Sequence, residues 1–251
     1  MSEFATNEKL TSQIPALQLL IGLGFEFLTP AEALRERQNR TSNVLLESIL
    51  RNQLKEINRI RYKGSEYLFS EENAGKWQNV TDDQKDIFTI TDGIFHIPGR
   101  KPTQYIAWLG ETFGDFELHI EFKIAAGSNS GVFFRTDPKD PVQGGMEIQV
   151  YGDYREAPSK KSGGSLYDIA SPMFNMTLPE SEWNSYDIRF VGSELEVVYN
   201  GWKVLDLDVS VMTMPIGKFD TPLANMPREG HIILQDHGNE VWFRNLLIRH
   251  L

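Results

Sequence analysis

The chain has 251 residues, enough for one large domain or a domain with an appendage, and its 40% apolar and 24% charged residues suit a packed globular protein. A net charge of -10 argues against phosphate-backbone binding as the main task of this surface, and the lack of cysteine excludes disulfides, zinc-thiolate sites and a cysteine nucleophile. The opening MSEFATNEKL has no basic stretch followed by an apolar one, and no run of about eighteen apolar residues follows, so neither a signal peptide nor a membrane span is expected.

From Leu10 to about Ile60 apolar residues recur at helical spacing, with Leu17, Leu20 and Ile21 in one segment and Val44, Leu45, Ile49 and Ile57 in another. Thr29-Pro30-Ala31-Glu32 supplies a capping hydroxyl, a proline at the first helical position and an acid in the first turn, which predicts a helix start; Ser42 is the expected cap of the next helix. After Lys63-Gly64 the pattern changes to short alternating runs separated by Gly, Pro, Asn and Asp, as in an all-β sandwich. Residues 1–66 therefore read as a helical N-terminal segment close to neutral, and 67–251 as a β-sandwich domain carrying the whole of the net negative charge. The clearest strands run from Phe116 to Ile124, Gly131 to Arg135, Met146 to Tyr151, Trp183 to Phe190, Glu194 to Val204, His231 to Gln235 and Val241 to Ile248. Asn200-Gly201 predicts a tight hairpin, because both residues tolerate positive φ.

Side chains alternate across a strand, so each run divides into a core face and an outer face. Leu118, Ile120, Phe122 and Ile124 oppose His119, Glu121 and Lys123, as in a half-buried strand. Arg135 lies opposite Val132 and Phe134; Glu147, Gln149 and Tyr151 lie opposite Met146, Ile148 and Val150; Gln235 and His237 lie opposite Ile232 and Leu234. Carboxylate, amide, guanidinium, imidazole and phenol thus gather on one side, a set suited to sugar hydroxyls, with Tyr151, Tyr167 and Trp108 as candidate rings for the apolar patches of a sugar. The plain alternative is a solvated outer face. Asn129 and Gly131 read as bulge or turn residues.

Trp77 and the segments FTITDGIFHIPG, FGDFELHIEFKI, GSNSGVFFR, MEIQVYGD, GGSLYDI, EWNSYDI, VVYNG, HIILQDHG and VWFRNLLIR follow one another from about Phe69 to the C-terminus. This ordered set resembles the 3-keto-disaccharide hydrolase family, also described as 3-keto-glucoside 1,2-lyases and 2-hydroxy-glucal hydratases. The resemblance implies a mainly β fold, a concanavalin-like jelly-roll sandwich, and cleavage of 3-keto-glycosides. A ketone at C3 acidifies the C2 proton and sets up loss of the C1 substituent, after which water adds. Such chemistry needs a base and a stabiliser for the enolate. Glu147, His237 and Arg135 match positions of the family pattern and are the expected catalytic groups, with Gln149, Tyr151, Tyr167, Gln235 and Trp108 expected to bind substrate. A loop carrying Lys160, Lys161 and Tyr167 is the fallback. No ligand spacing such as HxxxH points to a metal, and neither metal nor cofactor is expected. The expected partner is a carbohydrate, with no nucleic acid and no membrane. The competing reading is a non-catalytic carbohydrate-binding module on the same jelly roll.

Residues of about 10–73, from ALQLLIGLGF through QLKEINRIRYKG, resemble the opening of type I restriction enzyme R subunits. The nuclease and helicase motifs of that family are missing from this sequence, so no DNA cleavage is expected.

Overall fold

The computed structural model describes residues 28–37, 39, 64–84 and 87–251. The chain divides into two compact units, Met1–Lys63 and Gly64–Leu251. In the first, the described residues form one helix, α1 (Pro30–Glu36), started as its sequence predicts: the Thr29 hydroxyl accepts from the Glu32 amide while the Glu32 carboxylate accepts from the Thr29 amide. The segments around Leu17 and Val44, and the expected cap at Ser42, lie outside the described residues.

The second unit is an antiparallel sandwich of thirteen strands: β1 (Glu66–Tyr67), β2 (Trp77–Asn79), β3 (Thr89–Thr91), β4 (Ile94–Ile97), β5 (Gln104–Trp108), β6 (Phe116–Ile124), β7 (Asn129–Thr136), β8 (Met146–Tyr151), β9 (Asn184–Val191), β10 (Glu194–Tyr199), β11 (Trp202–Asp208), β12 (His231–Asp236) and β13 (Val241–His250). The larger sheet is ordered β11-β10-β9-β6-β13-β4-β3, with β1 also paired to β13. The smaller is ordered β2-β5-β12-β7-β8. From β6 onward the strands fall where alternation predicts them, and the 194–204 run turns at Asn200 (φ 48) and Gly201 (φ 83). The strands of two to five residues before β6 escaped the sequence reading because two or three alternations are too few to stand out.

The core closes between the apolar faces of the two sheets. Phe116, Leu118, Ile120 and Phe122 of β6 are buried with Val132 and Phe134 of β7 and Met146, Ile148 and Val150 of β8. Each such side chain contributes about 1.5–3 kcal/mol relative to exposure. At one end Phe69, Trp77, Phe95 and Trp108 pack with neighbouring ring centroids 5.1–5.6 Å apart, and Trp77 Nε1 donates to the Leu68 carbonyl at 3.0 Å.

Two predicted site residues, Arg135 and Trp108, lie away from the outer face for structural reasons. Between His231 and Ile233 the register of β12 on β7 shifts, and Arg135 sits in the left-handed region at φ 49. This bulge breaks the alternation that put Arg135 beside Glu147. Its guanidinium turns instead to the far end of the sandwich, 1% exposed, where Nε donates to the Gly114 carbonyl (2.8 Å), Nη1 to the Gly192 carbonyl (2.8 Å) and Nη2 to Asp115 (2.9 Å), 3.6 Å from the centre of the Phe190 ring. Burial pulls its pKa down to about 10, with Asp115 opposing. Trp108 is likewise a core residue, fully buried against Trp77. On β5 its phase matches Gln104 and Ile106, so Tyr105 and Ala107 take the outer face.

Candidate active site

The outer face of the smaller sheet is built by register. Tyr105 pairs with Gln235 across β5 and β12, Gly131 with Gln149 across β7 and β8, and the next row runs Ala107, Ile233, Phe133, Glu147. That row places a small apolar cluster of Ala107, Phe133 and Ile233 beside one carboxylate. Connecting segments rise around it and make a cavity of about 180 Å³, lined by Glu147, Gln149, Asn129, Phe133, Tyr105, Thr103, Val142, Tyr167, Lys218, Gln235 and His237.

Tyr167 is positioned by the free edge of β8. The Gln149 amide donates to the Ser165 carbonyl (3.0 Å), and the Gly164 and Tyr167 amides donate to the carbonyls of Gln149 (3.0 Å) and Glu147 (2.9 Å). The 164–167 segment therefore runs along β8 like a further strand. Gly164, at φ 79, allows it, because a Cβ there would stand 2.9 Å from the Tyr199 ring. His237 follows β12 in a turn held by buried Asp236, whose carboxylate accepts from the Arg100 amide (2.8 Å) and the Gly238 amide (2.8 Å). Its side chain is exposed at the mouth of the cavity.

Glu147 lies at the bottom, 4% exposed, with its Oε2 2.8 Å from Lys218 Nζ. Burial pushes its carboxyl pKa up, and Lys218 pulls it part of the way back. In the orientation that satisfies both ends of the Gln149 amide, its Nε2 donates to Glu147 Oε1 at 3.3 Å and to the Ser130 carbonyl at 3.1 Å. Any Cβ at position 131 would collide with Glu147 Oε1, so Gly131 makes the space that the carboxylate occupies. Tyr105 packs edge-on to Phe133 with centroids 5.6 Å apart, and its hydroxyl is pushed up by burial, against the pull of Gln235. Among the described residues buried Gln235 Oε1 has no hydrogen-bond partner, an acceptor ready for a ligand hydroxyl.

Of the sequence-predicted residues the structure brings together Glu147, Gln149, Tyr167, Gln235 and His237. Arg135 and Trp108 lie elsewhere, and Tyr151, although it shares the outer phase of β8, pairs with Asn129 at the strand end and does not line the cavity. Lys160 and Lys161 are exposed and outside it. Sequence reasoning missed Lys218 and Tyr105. Tyr105 carried a signal in the phase of QYIAW, whereas Lys218 sits in the long connection between β11 and β12, where no periodicity marks a side chain. Asn129, read as a bulge residue, belongs to β7 and borders the cavity.

A larger hollow of about 500 Å³ lies by β2, but its polar groups already serve one another: Asn79, the Gln84 backbone and side chain, and Gln104 all donate to Asp82. Among the described residues no group of three or more His, Asp or Glu is arranged to hold a metal ion, and no helix is long and apolar enough to cross a membrane.

The profile of the 3-keto-alpha-glucoside-1,2-lyase-like domain matches residues 64–249. A curated 3-keto-disaccharide hydrolase of Bacteroides thetaiotaomicron is 27% identical over 170 residues, 55% of this chain and 59% of that protein, so the match spans under two thirds of the relative's length. A crystal structure from Parabacteroides distasonis, provisionally described as a glycosyl hydrolase, superposes with a TM-score of 0.65 at 27% identity, covering 74% of this chain and 99% of the other. A Bacillus subtilis protein with a galectin-like fold, 13% identical with a TM-score of 0.50 over 74% of this chain and 94% of its own, shares the fold. The resemblance of residues 10–73 to restriction R subunits is not borne out by these comparisons. The profile match takes in both sheets and every residue of the Glu147 cavity: this chain belongs to the 3-keto-alpha-glucoside-1,2-lyase-like domain family.

Proposed function

We propose that the Glu147 cavity binds the oxidised ring of a 3-keto-glycoside and that the protein cleaves it by removal of the C2 proton, loss of the C1 substituent and addition of water. The observation that carries this reading is a buried carboxylate, given room by Gly131, in the wall of a polar cavity. Its raised pKa suits a base that must hold a proton transiently near neutral pH. A volume of about 180 Å³ suits one sugar ring, with the second sugar outside. Gln149, Gln235, Asn129 and Tyr105 offer donors and acceptors to the ring hydroxyls, and the Phe133 and Tyr167 rings offer apolar surface. His237, at the mouth, is the second acid–base group, on the side from which a departing C1 substituent reaches solvent. The name of the Bacteroides relative and the family match support the substrate class.

The test is incubation with a 3-keto-disaccharide and, separately, with its unoxidised parent. Release of the second sugar from the keto compound alone is expected. Binding of either without release would leave a carbohydrate-binding module and overturn the enzyme.

A further inference from the structure

Arg135 was the sequence's candidate for stabilising an enolate, and its departure to the far end of the sandwich leaves that role open. Among the described residues, Lys218 is the Lys or Arg that lines the cavity. Lys218 Nζ lies 2.8 Å from Glu147 Oε2 and stands 4.9 Å from the ring centre of Tyr167 and 5.3 Å from those of Phe133 and Phe219. Its side chain is 16% exposed, so rings and a carboxylate replace most of the water around the ammonium.

The backbone that carries it is tied down on both sides. Gln143 Nε2 donates to the Lys218 carbonyl at 2.7 Å, and Gln143 Oε1 accepts from the Asp220 amide at 3.2 Å. Gly217 takes φ 58 with no space for a Cβ against the Asp168 carbonyl. A surface lysine needs no such support. These contacts hold one ammonium at one point beside one carboxylate, which is preorganisation of the kind that charge stabilisation requires.

We propose that Lys218 is a catalytic residue, its ammonium donating to the C3 oxygen of the bound keto sugar and balancing the negative charge that develops there as Glu147 takes the C2 proton. The inference rests on the 3-keto-glycoside reading. The C2 hydrogen and the C3 oxygen sit on adjacent ring carbons, so the groups that act on them must themselves be adjacent, as Glu147 and Lys218 are. In the step, the electron pair of the C2–H bond forms the C2–C3 double bond, the carbonyl π pair moves onto the C3 oxygen, and the proton goes to Glu147. The enolate then collapses: the C3 carbonyl re-forms, the C2–C3 pair moves into a C1–C2 double bond, the C1–O bond breaks, and the leaving oxygen takes a proton from His237. Lys218 forms no bond to carbon.

The alternative is that Lys218 merely pairs with a buried carboxylate. The two roles differ in the pH profile of sugar release, where the other titratable groups lining the cavity are Tyr105, Tyr167 and His237. If Lys218 only pairs, K218M moves the acidic limb to higher pH, because Glu147 loses the charge that holds its pKa down, and the plateau kcat is recovered at higher pH. If Lys218 acts on the enolate, the plateau kcat itself falls by about 10²–10³-fold, with KM changing far less. K218Q provides a second neutral variant should K218M fail to fold, and K218R should regain part of the loss. Absence of release by the wild-type protein would overturn the activity and this role together. Release by the wild type with a full plateau kcat in a folded neutral variant would overturn the role of Lys218 alone. Borohydride trapping of the keto sugar on Lys218 would also overturn it, replacing charge stabilisation by a covalent imine.

Discussion

The outer faces of the two sheets are both polar in sequence, yet they do opposite things with their charges. On the larger sheet the polar residues of β6 are satisfied by their neighbours: Glu117 accepts from Arg249, Glu121 from Arg244 (2.6 Å) and Asn245 (2.9 Å), His119 pairs with Asp187 (2.8 Å), and Lys123 stands 4.5 Å from the centre of the Trp242 ring. On the smaller sheet Glu147 has one counter-charge, one amide donor in Gln149 and a cavity beside it. The pKa directions follow. Burial alone would raise both carboxyls; at Glu121 the hydrogen bonds from His119, Asn245 and Arg244 outweigh it and hold the group at about 2, whereas at Glu147 burial wins. A charge that its neighbours satisfy serves the fold, and one kept short of partners is available for chemistry.

The largest effect expected from breaking this contrast is at Glu147. E147Q should lower the rate of sugar release by about 10²–10⁴-fold, measured with the 3-keto-disaccharide, while thermal unfolding remains cooperative. In the wild type the rate should fall as pH drops through the raised pKa of Glu147, so the acidic limb lies above the range of an ordinary glutamate. The linked stability effect has the opposite sense: a carboxyl whose folded pKa is raised makes the fold less stable as pH rises from its unfolded value through the folded one.

Next comes Arg135. R135A should cost roughly 3 kcal/mol in urea unfolding, because it empties the space of a large buried side chain and removes its hydrogen bonds to the Gly114 and Gly192 carbonyls and to Asp115. Activity per folded molecule should stay at the wild-type level; a variant of normal stability that has lost turnover would return Arg135 to the chemistry. G131A should be smaller in stability, about 1–3 kcal/mol for a forced shift in a packed site, with a loss of turnover out of proportion to it, since the new methyl displaces the Glu147 carboxylate. The smallest change is expected at Glu121. Its folded pKa is depressed from an ordinary 4.5 to about 2, so its contribution is complete above pH 4.5 and is lost as pH falls toward 2. E121Q should therefore cost about 1–2 kcal/mol at pH 7, allowing for screening at a partly exposed site, and nothing near pH 2, with sugar release unchanged at neutral pH.

Much of this was legible in the chain. Alternation over six to ten residues identified the strands from β6 to β13, and Thr29 with Glu32 identified the start of α1, because both signals are local and repeat or close within a few residues. The outer phase of β8 put Glu147 and Gln149 together, and the end of β12 added Gln235 and His237. Alternation also assigned His119 and Glu121 to an outer face, but nothing in a single strand says whether a charge there will meet a partner.

That was decided in three dimensions. The bulge opposite His231 and Ile233 turned Arg135 out of the site, since one extra residue inverts the face of everything beyond it. The phase of β5 put Trp108 in the core and Tyr105 over the cavity. Lys218 reached Glu147 across 71 positions of sequence, from a connection with no period of its own. The sequence by itself determined the longer strands from β6 onward and the inward or outward sense of most of their residues, because those depend on neighbours two residues away. Which outward charges were neutralised and which was left for chemistry depended on strand order, register and loops that close over one sheet, and only the tertiary structure decides those.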